Sequence, residues 1–302
     1  MNFKSIYITC LLISLHHSQA VYASLEVFTT TTNVANLVEQ VGGDKVKVTS
    51  LTKGAQDPHY VEAKPSFMLN ISRADLVVSV GLGLESAWLP AVIGGSRNAS
   101  ISRGQKGSLI LGEHISVLDI PNGETSRVDG DVHPEGNPHF MLDPGRVSQL
   151  ADVVAAKLAE LDPSNKEYFF NRSKMLKNEL DRKLSGWQQQ IKQSGIKQIV
   201  TYHKTLRYFL DRFEIKIAGQ IEPKPGIPPS SNHILSTINL CKQQNIKLIL
   251  VENYFDEKPA RRIADEVKGL KVTTIPVAVG GSPNVNSLID LYDQLINALT
   301  TK

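Results

Sequence analysis

The stretch NKEYFFNRSKMLKNELDRKLSGWQQQIKQSG, residues 165–195, decides how this chain is organised. Phe169, Met175, Leu176, Leu180, Leu184, Trp187 and Ile191 recur near a 3.6-residue period, the mark of one apolar helix face. A helix from Asn165 to Gln193 is roughly 43 Å long at the standard rise per residue, enough to cross between two lobes. Gly195 then ends it. A shorter helical segment precedes it, from about Pro144 to Leu161, with Asp143 as its N-cap and Pro144 at its first position. Leu150, Val153, Val154, Leu158 and Leu161 form its stripe, and Asp162-Pro163-Ser164 stops it.

On either side of this helical pair, short β-branched runs alternate with amphipathic segments. Residues 25–29, 45–51, 76–80, 198–202, 247–251 and 271–275 read as strands. Residues 34–41, 66–72, 206–213, 234–244 and 259–267 read as helices. Strand-helix alternation of this kind calls for parallel sheets covered on both faces. The expected fold class is therefore α/β: two parallel-sheet lobes joined by a long rigid helix, with a cleft between them. The expected divisions are an N-terminal lobe at 24–163, a linker helix at 164–194 and a C-terminal lobe at 195–302. Residues 113–138, which contain Pro121, Gly123, Gly130, Pro134 and Gly136, read as a mobile surface loop.

The bulk numbers limit the functional classes. A chain of 302 residues with 41% hydrophobic and 21% charged content has globular composition and room for two domains. A net charge of +3, with no basic stripe carrying aromatics, gives no footprint for nucleic acid. Ile6 to Leu15 is an apolar run of signal-peptide length, too short to span a bilayer. Cleavage after Ala23 is expected, which implies export. Cys10 lies inside that segment without the small preceding residues of a lipid-modified cysteine, so no anchor is expected. Cys241 is then alone and reads as core, with Ile234 and Ile238 at helical spacing.

Three histidines follow strands or rigid turns: His59 in Asp57-Pro58-His59, His139 in Asn137-Pro138-His139, and His203 directly after the strand that ends at Tyr202. Ligands of parallel sheets bind beyond the carboxyl ends of the strands, and Pro58 and Pro138 fix the direction of the histidine that follows each. Neutral imidazoles are the commonest ligands of zinc, copper and nickel, so convergence would give an open tetrahedral site. Glu252, at another strand end, is a candidate fourth ligand, an acceptor for an imidazole N–H, or a plain strand-end charge. His133, near Asp129, Asp131 and Glu135, is either part of a solvated acidic turn or a weak capture point that passes metal inward. His114 and His233 read as loop and surface residues. Gly81-Leu82-Gly83 is no dinucleotide fingerprint, because Ser86 takes the third glycine position. Pro223 to Pro229 reads as an extended loop, with Ser230 or Ser231 capping the next helix.

The chain resembles the zinc/manganese-specific solute-binding proteins of bacterial ABC importers. The likeness is carried by Gln56-Asp57-Pro58-His59, Gly83-Leu84-Glu85 with Trp88, Asn137-Pro138-His139-Phe140-Met141-Leu142-Asp143-Pro144, Thr201-Tyr202-His203, Glu222 to Ser230, and Val251-Glu252-Asn253-Tyr254-Phe255. It implies two α/β lobes with metal between them, held by His59, His139 and His203. A histidine at the third position points within the family to zinc rather than manganese, in line with the nitrogen preference of zinc. Many members add an aspartate after the last strand; here Ile275 to Gly281 holds no acid. The resemblance implies a periplasmic monomer that binds Zn²⁺ as transported ligand and delivers it to the permease of an importer in the inner membrane. The alternatives are a manganese or iron receptor of the same family, a zinc-dependent hydrolase using the open position to activate water, and a surface protein with structural metal.

Overall fold

The computed structural model describes residues 24–123 and 133–301. The expected signal segment, its cleavage point and Cys10 lie outside the described residues, as do Asp129 and Asp131.

Eight strands make two four-stranded parallel sheets. The first contains β1 (Leu25–Thr29), β2 (Val46–Ser50), β3 (Leu76–Ser79) and β4 (Ser108–Ile110) in the order β2-β1-β3-β4. The second contains β5 (Gln198–Thr201), β6 (Lys216–Gln220), β7 (Leu248–Glu252) and β8 (Lys271–Ile275) in the order β6-β5-β7-β8. The two sheets therefore share one strand order. In each, the sequence direction reverses beside the first strand, which is where ligands of parallel sheets collect. His203 leaves that point of the second sheet.

The period of two along each strand divides the core. Val27, Leu76 and Val78 face one apolar cluster, while Phe28 and Val77 face another with Trp88 and Ile101. In the second sheet Ile199, Leu248 and Leu250 face the first cluster, and Val200, Ile249 and Val251 face a third with Cys241. Cys241 is fully buried, as its spacing suggested. One cluster thus runs through both sheets.

That continuity comes from helices. In chain order these are α1 (Thr32–Gly42), α2 (Pro65–Ile71), α3 (Leu89–Ser96), α4 (Pro144–Leu161), α5 (Lys166–Ser194), α6 (Arg207–Arg212), α7 (Ser231–Gln243), α8 (Lys258–Asp265) and α9 (Leu288–Thr300). The 29-residue α5 packs against α4, α1 and the C-terminal α9. Its buried face is Phe169, Ser173, Leu176, Leu180, Trp187 and Ile191, with Leu184 partly buried. Met175, read from sequence as part of that stripe, is 67% exposed. Ser173 takes its place on the 3.6-residue period and donates to Asp152 on α4, which also pairs with Lys177. Trp187 donates to Asp293 of α9 at 2.7 Å.

Polar ties complete the junction. Asn33, at the start of α1, donates to the Val277 carbonyl and accepts from the Val279 N–H, at 3.0 and 2.8 Å. Asn36 accepts from the Leu288 N–H, and Tyr292 of α9 donates to the Met141 carbonyl. Asp143 is fully buried and caps α4 through the Gly145 N–H. It also receives Arg146 at 2.6 Å and a two-pronged contact from Arg212 of α6, at 2.7 and 2.9 Å. Removing this carboxylate strands two guanidiniums and a helix end together. Asp143→Ala should cost about 3 kcal/mol of unfolding free energy, read as a lower urea midpoint at unchanged slope; a loss under about 1 kcal/mol would contradict that role.

Candidate metal centre

Each histidine of the centre is delivered by a short segment braced from behind. Asp57-Pro58-His59 follows β2, and the buried Trp88 indole donates to the Pro58 carbonyl at 3.1 Å. Asp57 accepts from both the His59 N–H, at 3.0 Å, and its Nδ1, at 2.7 Å. Burial works against the Asp57 charge, but the hydrogen bonds and the His59 ring carry its pKa below the ordinary carboxylate value. The His139 N–H donates to the Asn137 side chain, whose amide donates in turn to the Lys204 carbonyl, next to His203. Tyr208 of α6 donates to the Asn137 carbonyl at 2.7 Å. His203 presents Nδ1 to Glu222 at 2.7 Å, with both side chains almost fully buried.

These braces bring the three histidines together. One ring nitrogen from each of His59, His139 and His203 lies within 4.8 Å of the other two. Ring centroids are 5.2 Å apart for His59 and His139, 5.5 Å for His139 and His203, and 5.9 Å for His59 and His203. Where Nδ1 is tied to a carboxylate, Nε2 keeps its lone pair for the centre. His139 Nε2 is buried without a hydrogen-bond partner among the described residues. Burial and the neighbouring imidazoles hold the His139 pKa well below its ordinary value, so it stands as a neutral donor.

Other candidates fall in less expected places. His133 is not out in a solvated turn. Its Nε2 is 3.1 Å from His59 Nε2, and burial followed by the nearby rings lowers its pKa to about 3. Glu252 is fully buried at the end of β7 but stands outside the group of converging donor atoms. Neither of its oxygens has a well-formed hydrogen bond among the described residues. Burial raises its pKa against the opposing pull of His203 and Thr205. His233 Nε2 donates to the Gln220 carbonyl at 2.9 Å, and Ser230 caps that helix.

The residue that sequence reasoning missed is Glu222, the carboxylate that orients His203. It follows β6, a strand whose run Lys216-Ile217-Ala218-Gly219-Gln220 is only partly buried and interrupted by glycine. Once β6 is placed beside β5, a carboxylate just past its end falls next to His203. The second orienting group, Asp57, was not named in that role either, although its position two residues before His59 carried the signal.

With this geometry in place, comparison with known proteins is direct. Residues 27–302 match the family model of the periplasmic zinc-uptake complex component ZnuA. The chain belongs to that family. It is 25% identical over 285 residues to the high-affinity zinc uptake system protein ZnuA of Bacillus subtilis, spanning 91% of this chain and 86% of the relative. It is 22% identical over 258 residues to the manganese ABC transporter substrate-binding lipoprotein PsaA of Streptococcus pneumoniae, spanning 84% of this chain and 78% of the relative. Among solved structures, a ZnuA lacking residues 138–173, with zinc bound, superposes with a TM-score of 0.76 at 23% identity, over 92% of this chain and 99% of that one. The periplasmic metal-binding protein of Candidatus Liberibacter asiaticus superposes with a TM-score of 0.74 at 18% identity, over 91% and 100%. At these identities the superpositions establish the shared fold.

Glu222→Ala should leave the fold intact while freeing His203 to rotate. An orienting partner of this kind is worth about 10- to 100-fold in metal affinity. Titration of the variant with Zn²⁺ checks it, and an unchanged affinity would remove Glu222 from the centre.

Proposed function

We propose that this chain captures a single Zn²⁺ ion outside the cytoplasm and hands it to the membrane permease of an ABC importer. The observation that carries the reading is the convergence of a ring nitrogen from each of His59, His139 and His203, with the His59 and His203 rings braced through Nδ1. Family membership supplies the transport role: members are metal-binding substrate components of ABC importers, not enzymes. We place the lobes at 24–163 and 195–302, the linker helix at 164–194, and the ion between the two.

Relatives named for zinc and for manganese both match, so the donor set must choose. All three converging donors are imidazole nitrogens, which suit zinc, whereas manganese favours oxygen. The loop after β8 offers no acid, and Glu252 stands apart from the donors. Both features support zinc as the cargo. The periplasmic placement rests on the apolar N-terminal segment and on relatives described as ABC transporter substrate-binding lipoproteins. No helix among the described residues is long and apolar enough to cross a membrane.

Calorimetric titration of metal-stripped protein should give one Zn²⁺ per chain and displacement of bound Mn²⁺ by Zn²⁺. His59→Ala, His139→Ala and His203→Ala should each weaken Zn²⁺ binding by about 100-fold or more, beyond the loss expected for an orienting partner alone. A wild-type protein without stoichiometric Zn²⁺ binding would end the transport reading.

A further inference from the structure

Resting on the zinc reading above, we propose that Gly54 and Asn33 are positioning residues for the captured ion. Together they seat the segment that carries His59 on the backbone after β8, and that seat sets how fast the ion leaves. The primary observation is the closeness of the approach at Gly54. A β-carbon built there would overlap the Val279 carbonyl oxygen and the Gly280 carbonyl carbon, and would stand 2.5 Å from the Gly281 nitrogen. All three are backbone atoms, which cannot swing aside as the end of a side chain can. Gly54 is not one of the left-handed glycines, so the contact and not the backbone angle demands a glycine here. The approach is mutual, since a β-carbon on Gly281 would stand 3.0 Å from the Gly54 carbonyl oxygen. Gly54 is buried between the exposed Lys53 and Ala55. The loop that follows β2 and leads to His59 is therefore pressed at this glycine against the second half of the chain.

The surface that receives Gly54 is fixed on both sides. From the first half of the chain, the buried Asn33 donates to the Val277 carbonyl at 3.0 Å and accepts from the Val279 N–H at 2.8 Å. From the second half, Asn253 just past β7 donates to the Gly281 carbonyl at 2.7 Å. Gly280 turns the loop with φ of +74°, and its N–H donates to the Val285 carbonyl at 2.7 Å. The loop holds no acid to offer the ion. What it contributes is a rigid backbone, clasped by Asn33, on which the His59 segment rests through Gly54.

This seam adjoins the metal centre. A cavity of about 50 Å³ is lined by Thr52, Gln56 and Pro58 of the His59 segment, by Val277 of the loop, and by His139 and Thr205. Close packing would resist movement of the segment on this side; a cavity does not, which leaves the Gly54 contact to hold it. Trp88 supports the Pro58 carbonyl from the first half of the chain, so His59 is gripped between the two halves. Relieving the overlap made by one added methyl opens the seam by about 1 Å. A metal site loosens at displacements of that size. The loss falls mainly on the residence time of the ion, as most affinity differences between related complexes do.

The test is stopped-flow release of Zn²⁺ from the loaded protein into excess chelator, for wild type, Gly54→Ala, Asn33→Ala and the double variant. Each variant should bind one Zn²⁺ at the wild-type association rate and release it at least about tenfold faster. Retained stoichiometry and association rate separate a loosened centre from misfolding, and if one single variant does not fold the other carries the test. Because both residues act on one loop, the double variant should fall short of the product of the two single effects. Wild-type release rates in the folded variants, or a double variant showing the full product, would overturn this inference and leave the three-histidine receptor standing. Absence of stoichiometric Zn²⁺ binding by wild type would instead overturn the receptor reading beneath it.

Discussion

The constraint on which the rest depends is the convergence of neutral imidazole lone pairs in a buried space. A buried nitrogen without a partner costs about 1–3 kcal/mol, and His139 Nε2 is in that position. Rings facing one another through lone pairs relax apart unless something behind each prevents it. Asp57 fixes His59 and Glu222 fixes His203, while Asn137 holds the segment that carries His139. At His59 and His203 the brace is a hydrogen bond from a ring nitrogen to a carboxylate, which both selects the tautomer and stops the ring from turning; at His139 it holds the backbone. A divalent cation held there, as proposed above, would give the unsatisfied His139 nitrogen its partner.

Such convergence demands that two sheets keep a fixed relation. His59 and His139 come from the first half of the chain and His203 from the second, so any slack between the sheets would separate the donors. The fold removes that slack with a core that runs through both sheets, with α5 packed on α1, α4 and α9, and with Asn33 and Asp143 tying distant segments. The shared strand order places the carboxyl end of β5, and with it His203, at the point where a parallel sheet exposes its strand ends to a ligand.

Much of this was legible in the chain. The six strands with dense β-branched runs, the capped α4 and the long α5 follow from periodicity and from Asp143-Pro144 and Gly195. The elements that were not legible share a physical cause. β4 is three residues long, β6 carries Gly219 and is only partly buried, and α3 includes Gly94 and Gly95. Their local signals are weak because the neighbouring sheet, not propensity, holds them in place. The α9 helix was passed over although its buried residues Leu288, Leu291, Tyr292, Leu295, Ile296 and Leu299 follow a clear helical period; that signal was present. For the centre, proline-fixed turns pointed to His59 and His139, and a strand end to His203. Glu222 and the place of His133 required knowing which segments meet in space, and no spacing along the chain encodes that.

The most direct test of the account is anomalous diffraction at the zinc edge from crystals of the Zn²⁺-loaded protein. The account predicts one strong peak about 2.0–2.1 Å from a nitrogen of each of His59, His139 and His203. A peak bound elsewhere on the chain, or none in this cluster at full Zn²⁺ loading, would contradict it.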